Sequence, residues 1–328
     1  MLSFIIRRIL YMVPTLLVIS VVTFTIIQLP PGDYMTTVLA GLADSNATIS
    51  NTAMAAIRDR YGLDDPIYVQ YFKWITAIVL HGDFGASFEW NRPVSDLIYD
   101  RMGLTLVLSI STLLFIWAVA FPIGIYTAIR RYAISSYVVT FIGFIGLAVP
   151  SFLLALLFMY LSFKYFGQTV GGLFSPNYEE APWSMGKVLD LISHLWIPMI
   201  VLGTAGTASL IRILRANLGD ELRKPYVVTA RAMGHPESTV ILAYPIRMAL
   251  NPFVSSIGWV LPSLISGATI TAIVLNLPTS GPMLLRSLLT QDMYLAGSFI
   301  FLLSILTVIG TLISDVLLAW LDPRVRYE

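Results

Sequence analysis

Residues 102–129 read MGLTLVLSISTLLFIWAVAFPIGIYTAI, 28 consecutive positions without a Lys, Arg, Asp or Glu. A helix crosses the hydrocarbon core of a bilayer with about 20 apolar residues, so this stretch decides the fold class. Five more such stretches flank it: Ile9–Pro31, Tyr137–Phe163, Leu191–Ile211, Met248–Leu285 and Met293–Ser314. The longest of them, Met248–Leu285, contains Asn276-Leu277-Pro278-Thr279-Ser280-Gly281-Pro282, a cluster of turn formers that ends a helix. It is expected to hold a helix at about 249–275 followed by a re-entrant or surface segment. The reading is an all-α polytopic membrane protein with six transmembrane helices.

Composition agrees. Of the 328 residues, 57% are hydrophobic and 12% charged, with a mean hydropathy of +0.79. A soluble domain carries roughly 25% charged residues, so a secreted enzyme, a nucleic-acid binder and a disordered chain are excluded. Ile9–Pro31 is longer than the roughly 7–15 apolar residues of a signal peptide, and Leu29-Pro30-Pro31-Gly32-Asp33 offers no small-residue cleavage site. It is expected to be an uncleaved anchor.

Orientation follows from the basic residues of the short loops. Arg7, Arg8, Arg130, Arg131, Arg212, Arg215, Arg223, Lys224, Arg231, Arg247, Arg324 and Arg326 fall on one side, which carries a net +7, against −5 on the other. The basic side, with both termini, is expected to be cytoplasmic. Three parts result: an N-tail and first helix over 1–31, an external segment over 32–101, and a permeating core over 102–328. The external segment contains Ile67–Leu80, too short to span and expected to lie on the surface as a helix. The core includes a cytoplasmic loop at 215–247.

No catalytic chemistry is expected, nor any cofactor or metal. His81, His194 and His235 fall outside, at a membrane boundary and inside, so they cannot share a site. No phosphate-binding Gly-x-x-x-x-Gly-Lys-Ser/Thr loop is present, and the chain has no cysteine. Asp315 is the one acid within a span; near a helix end, it is expected to serve structure before function.

In the cytoplasmic loop, Lys224-Pro225-Tyr226-Val227-Val228-Thr229-Ala230-Arg231-Ala232-Met233-Gly234-His235-Pro236 reads as a short helix marked at both ends. Pro225 suits the first helical position, Gly234 the left-handed position after the last turn, and Pro236 prevents continuation. Tyr226, Ala230 and Met233 share one face. Spacing fits equally an interfacial helix with Arg223, Lys224 and Arg231 on lipid phosphates, or a helix that docks a partner.

Thr229-Ala230-Arg231-Ala232-Met233-Gly234, with Arg247 and Pro252, resembles the coupling ("EAA") loop of permease subunits of bacterial ABC importers. The likeness is to the first-of-pair subunit of the oligopeptide/dipeptide/nickel class. It extends through Tyr61-Gly62-Leu63-Asp64, Gly82-Asp83-Phe84-Gly85 with Ser87, Arg92-Pro93-Val94, Pro150-Ser151-Phe152 and Ala319-Trp320-Leu321-Asp322-Pro323. The resemblance implies the methionine-importer-type permease fold in the inner membrane. Its implied partners are a second homologous permease subunit in a heterodimer, two cytoplasmic ABC ATPase subunits and an external solute-binding protein. Tyr226, Thr229, Ala230, Arg231, Ala232, Met233, Gly234 and Arg247 would then couple to the ATPases. Val228 and Thr229 depart from the motif's glutamate and first alanine, and the segments Leu277–Pro282 and Phe174–Lys187 depart from the class pattern. Oligosaccharide therefore stands beside peptide as the expected cargo. The alternative is a secondary transporter or channel acting without ATPases. Ser255, Ser256, Ser263, Ser266 and Thr269 suit both close helix packing and a wet translocation pathway.

Overall fold

The computed structural model describes residues 2–28, 65–87, 89–167, 171–243, 245–251, 253–258, 263 and 269–321. Tyr61–Asp64, Pro252, Ser266 and the motif beyond Leu321 lie outside the described residues. Helices run over Leu2–Gln28, Ile67–Thr76, Val94–Ile129, Ile134–Ala148, Ser151–Phe166, Met185–Glu221, Pro225–Ala232, Glu237–Ala243, Pro245–Ala249, Thr269–Val274, Ser280–Leu289 and Met293–Leu321. Among the described residues, five are long and apolar enough to cross a membrane: Ser3–Ile26, Val94–Ile129, Met185–Glu221, Glu237–Gly258 and Met293–Leu321. A sixth span arises if Ile134–Ala148 and Ser151–Tyr165 count together, bent by 102°.

That bend divides Tyr137–Phe163, expected to hold one helix kinked at Pro150, into two helices. Val149 is extended, as the residue before a proline is driven to be, and Pro150 (ψ 138°) opens a new helix instead of continuing the old one. Pro122 and Pro198, by contrast, lie inside continuous helices. The fifth span also shifts: its crossing stretch starts at Glu237, well before 249. The expected break is present, with Asn276 left-handed (φ 49°) before the helix Ser280–Leu289.

The chain divides into two compact units. The first comprises Met1–Ile9, Leu104–Pro278 and Thr307–Glu328. Its core packs Leu113, Ile116 and Ala120 against Leu210, Leu214 and Leu218, with Ile246, Phe253 and Ile257. The helices here approach closely through glycines: a Cβ on Gly124 would sit 2.7 Å from the Leu214 side chain, and one on Gly206 2.8 Å from Ile116. A second cluster gathers Leu108, Ala155, Leu191, Ile197 and Leu275. Arg8 pairs with Asp315 at 3.2 Å, which gives the intramembrane acid a structural partner.

The second unit comprises Leu10–Gly103 and Thr279–Leu306. The helix Ile67–Thr76 exposes Ile67, Tyr68 and Phe72 on one side and packs on the other. Its Trp74 is buried against Phe24 and Phe301, and Tyr71 bonds Ser20 at 2.8 Å. A two-stranded hairpin, Ala86–Ser87 with Arg92–Pro93, is held by Asp292, which is fully buried. Asp292 accepts hydrogen bonds from the Ser87 hydroxyl and from the backbone N–H groups of Glu89 (3.3 Å) and Leu295 (3.3 Å). Arg286 adds a bond to Glu89 at 2.7 Å and stacks over Trp90.

Candidate coupling loop

The helix Pro225–Ala232 forms where the sequence marks it, with proline at the first turn. Gly234 takes φ +80°, and the chain closes with two bonds, Gly234 N–H to Arg231 C=O (3.0 Å) and His235 N–H to Ala230 C=O (3.4 Å). This is a Schellman stop, which satisfies carbonyls a helix end otherwise leaves open.

Eight residues are too few for an isolated helix to persist in water, so neighbours must hold it. Val227 is the buried anchor, only 1% exposed. On the face that spacing groups together, Met233 is 71% and Tyr226 38% exposed, and Ala230 is half-buried. Val228, Thr229, Arg231, Ala232, Gly234 and Arg247 are exposed as well. Sequence reasoning missed Val227, because period alone on so short a helix cannot say which side the rest of the chain covers.

Charged groups tie both ends of the helix. Lys224 reaches one oxygen of Glu221 at 2.6 Å, and the Tyr226 hydroxyl donates to the other at 2.8 Å. Burial, together with that carboxylate, pushes the Tyr226 phenol up to about 12. At the far end the Arg231 guanidinium forks onto Glu237, Nε at 3.1 Å and Nη2 at 2.6 Å. The hydrogen bond to Glu237 raises the Arg231 pKa.

The residues proposed for a pathway separate. Ser256 is fully buried and donates to Phe253 C=O at 2.6 Å, whereas Ser255 is exposed and bonds Asn251 C=O at 2.9 Å. Ser263 is exposed and Thr269 half-buried; Ser266 lies outside the described residues. Among the described residues, no three His, Asp or Glu side chains gather as metal ligands would.

Residues 120–327 match the profile of the binding-protein-dependent transport system inner membrane component, and residues 1–109 match that of the N-terminal part of such membrane components. The chain belongs to this family. It is a multi-pass inner-membrane protein and a membrane translocation subunit. It is 36% identical to the oligopeptide transport system permease protein AppB of Bacillus subtilis (strain 168), with all of both chains covered. It is 32% identical to the glutathione transport system permease protein GsiC of Salmonella choleraesuis (strain SC-B67), again over the whole of both chains. With the dipeptide transport system permease protein DppB of Escherichia coli (strain K12) it shares 29%, also in full. Each of these names concerns a peptide or glutathione; the oligosaccharide expectation has no support among them.

The family match spans the elements built above. It takes in the hairpin at Ala86–Pro93 in its N-terminal part, and the loop helix and the break at Pro150 in its larger part.

Proposed function

We propose that this chain is the membrane-spanning, non-catalytic subunit of an ATP-driven importer for peptides, with the helix Pro225–Ala232 as its joint to separate ATPases. The carrying observation is a short, stopped and doubly tied helix that exposes Tyr226 and Met233 on one side, on a chain of this family. An apolar, exposed face on a helix that is itself held rigidly suits a groove in a partner better than loose contact with lipid. Peptide cargo rests on the oligopeptide, glutathione and dipeptide permeases it is similar to.

In this reading both termini and the loop 215–247 are cytoplasmic, and residues 32–101 face outward. A second homologous permease subunit completes the pathway as a heterodimer, and an external binding protein delivers cargo. Ser255, Ser263 and Thr269 are available to line the pathway, whereas Ser256 is committed to its own helix. Alkaline phosphatase fused near Thr48 should be active and fused near Ala232 inactive; the reverse would overturn the orientation. In the reconstituted importer, Gly234→Leu should leave insertion intact and abolish transport driven by ATP. A Cβ there meets nothing within 4 Å, so the damage acts through the left-handed backbone alone. Uptake by the purified chain without ATP would instead support a transporter that works on its own.

A further inference from the structure

The long helix Met185–Glu221 ends on a carboxylate, an unfavourable place because helix C-termini carry partial negative charge. Glu221 is kept there by two donors, Lys224 and Tyr226, and its side chain is only 15% exposed. Tyr226 belongs to the first turn of the joint helix, so the last turn of a span is bonded directly to it. At the other end Arg231 stands in the last turn of the joint and Glu237 in the first turn of the next helix, each favoured there by the helix dipole. Their planar two-point contact fixes an angle as well as a distance. The eight-residue helix is thus spliced at both ends to the helices that lead into the membrane, with the Schellman stop and buried Val227 between.

We propose that Glu221 and Glu237 are positioning residues: they splint the joint helix so that a push on it moves both flanking helices together. The proposal rests on the coupling reading above, and it locates transmission in contacts within this chain, which Tyr226 shares with the surface offered to a partner. Exposed ion pairs contribute little to stability, so loss of the Arg231–Glu237 contact should leave the protein folded and inserted. What should fall is coupling.

The test uses the whole importer in proteoliposomes, reading how strongly the binding protein stimulates ATP hydrolysis. Glu237→Arg should cut that stimulation by about fivefold while unstimulated hydrolysis persists, and Arg231→Glu should cut the stimulation as well. The double exchange should restore it. Because the chain contains no cysteine, spin labels at Ala216→Cys and Met233→Cys report the joint directly. Their distance distribution should be narrow in the parent chain and broad with Glu237→Gln or Glu221→Gln. Unchanged stimulation and unchanged width in the single variants would overturn the proposal, as would a double exchange no better than either single. If a charge reversal fails to insert, the width measured with Glu237→Gln decides. Gly234→Leu separates the layers: if it uncouples while the Glu237 variants do not, the splint fails and the joint stands. If Gly234→Leu keeps full stimulation, the joint itself fails.

Discussion

Two regions of this molecule are held by carboxylates, and they are held in opposite ways. At the hairpin Ala86–Pro93, Asp292 is wholly buried and takes three hydrogen bonds, two of them from Ser87 and Glu89 some 200 positions earlier and one from Leu295 in its own turn. At the joint helix, Arg231 and Glu237 are six positions apart, with side chains 42% and 55% exposed. A buried acid whose donors cannot find water enforces one arrangement, because every broken bond leaves an unsatisfied group. An exposed pair across a short turn exchanges readily with water and fixes geometry without adding much stability. One region is built to stay; the other, in the function proposed above, to transmit.

The contrast can be broken by substitution, and the largest effect is expected at the buried end. Asp292→Ala should lower stability by on the order of 3 kcal/mol, since the Ser87 hydroxyl and two backbone N–H groups lose their acceptor. Thermal unfolding in detergent checks this, and an unchanged melting temperature would remove Asp292 from the role of anchor. Val227→Ala comes next, at about 1–2 kcal/mol for a buried side chain cut back to its Cβ. Limited proteolysis between Lys224 and Pro236 should accelerate in that variant; cleavage at the parent rate would mean that Val227 does not seat the helix.

Arg231→Gln sharpens the comparison from the other side. It should shift the melting temperature by an amount worth less than about 1 kcal/mol. A loss as large as that of Asp292→Ala would erase the distinction between the two regions. The smallest effect is spectroscopic. The Tyr226 phenol is raised from 10 to about 12, so it stays neutral in the folded chain over a range where an unfolded tyrosine ionises. Its contribution is therefore complete below pH 10 and lost as pH rises through about 12. Alkaline difference spectra of the parent minus Tyr226→Phe should show this late ionisation, and Glu221→Gln should move it earlier. Ionisation at the ordinary value would argue that the Tyr226–Glu221 bond does not persist in solution.

Much of this was legible along the chain because it is local. Absence of charge marks the apolar helices, and Pro225, Gly234 and Pro236 mark the two ends of the joint within a dozen residues. What escaped depends on partners distant in sequence. Asp292 counted as one more acid among many until Ser87, 205 positions earlier, supplied its hydroxyl. Three prolines obey the same local rule, yet the chain breaks only at Pro150 and runs helically through Pro122 and Pro198. At Pro150 the next residue, Ser151, finds Thr271 at 2.8 Å, 120 positions on, and no window of sequence contains both. Spacing groups Tyr226, Ala230 and Met233 but says nothing of the inward residue, since burial of Val227 is decided by what surrounds the helix.

The break at Pro150 also bears on how the protein is made. Its two helices hold 15 and 16 residues, about 22 and 24 Å of rise, so neither half reaches across the ~30 Å hydrocarbon core alone. The unbroken apolar run Tyr137–Phe163, however, is as long as an ordinary span. The insertion machinery, which reads hydrophobicity before tertiary contacts exist, therefore receives this segment as one block. In the folded chain the two halves instead meet at 102°, with the helix Met185–Glu221 packed against both.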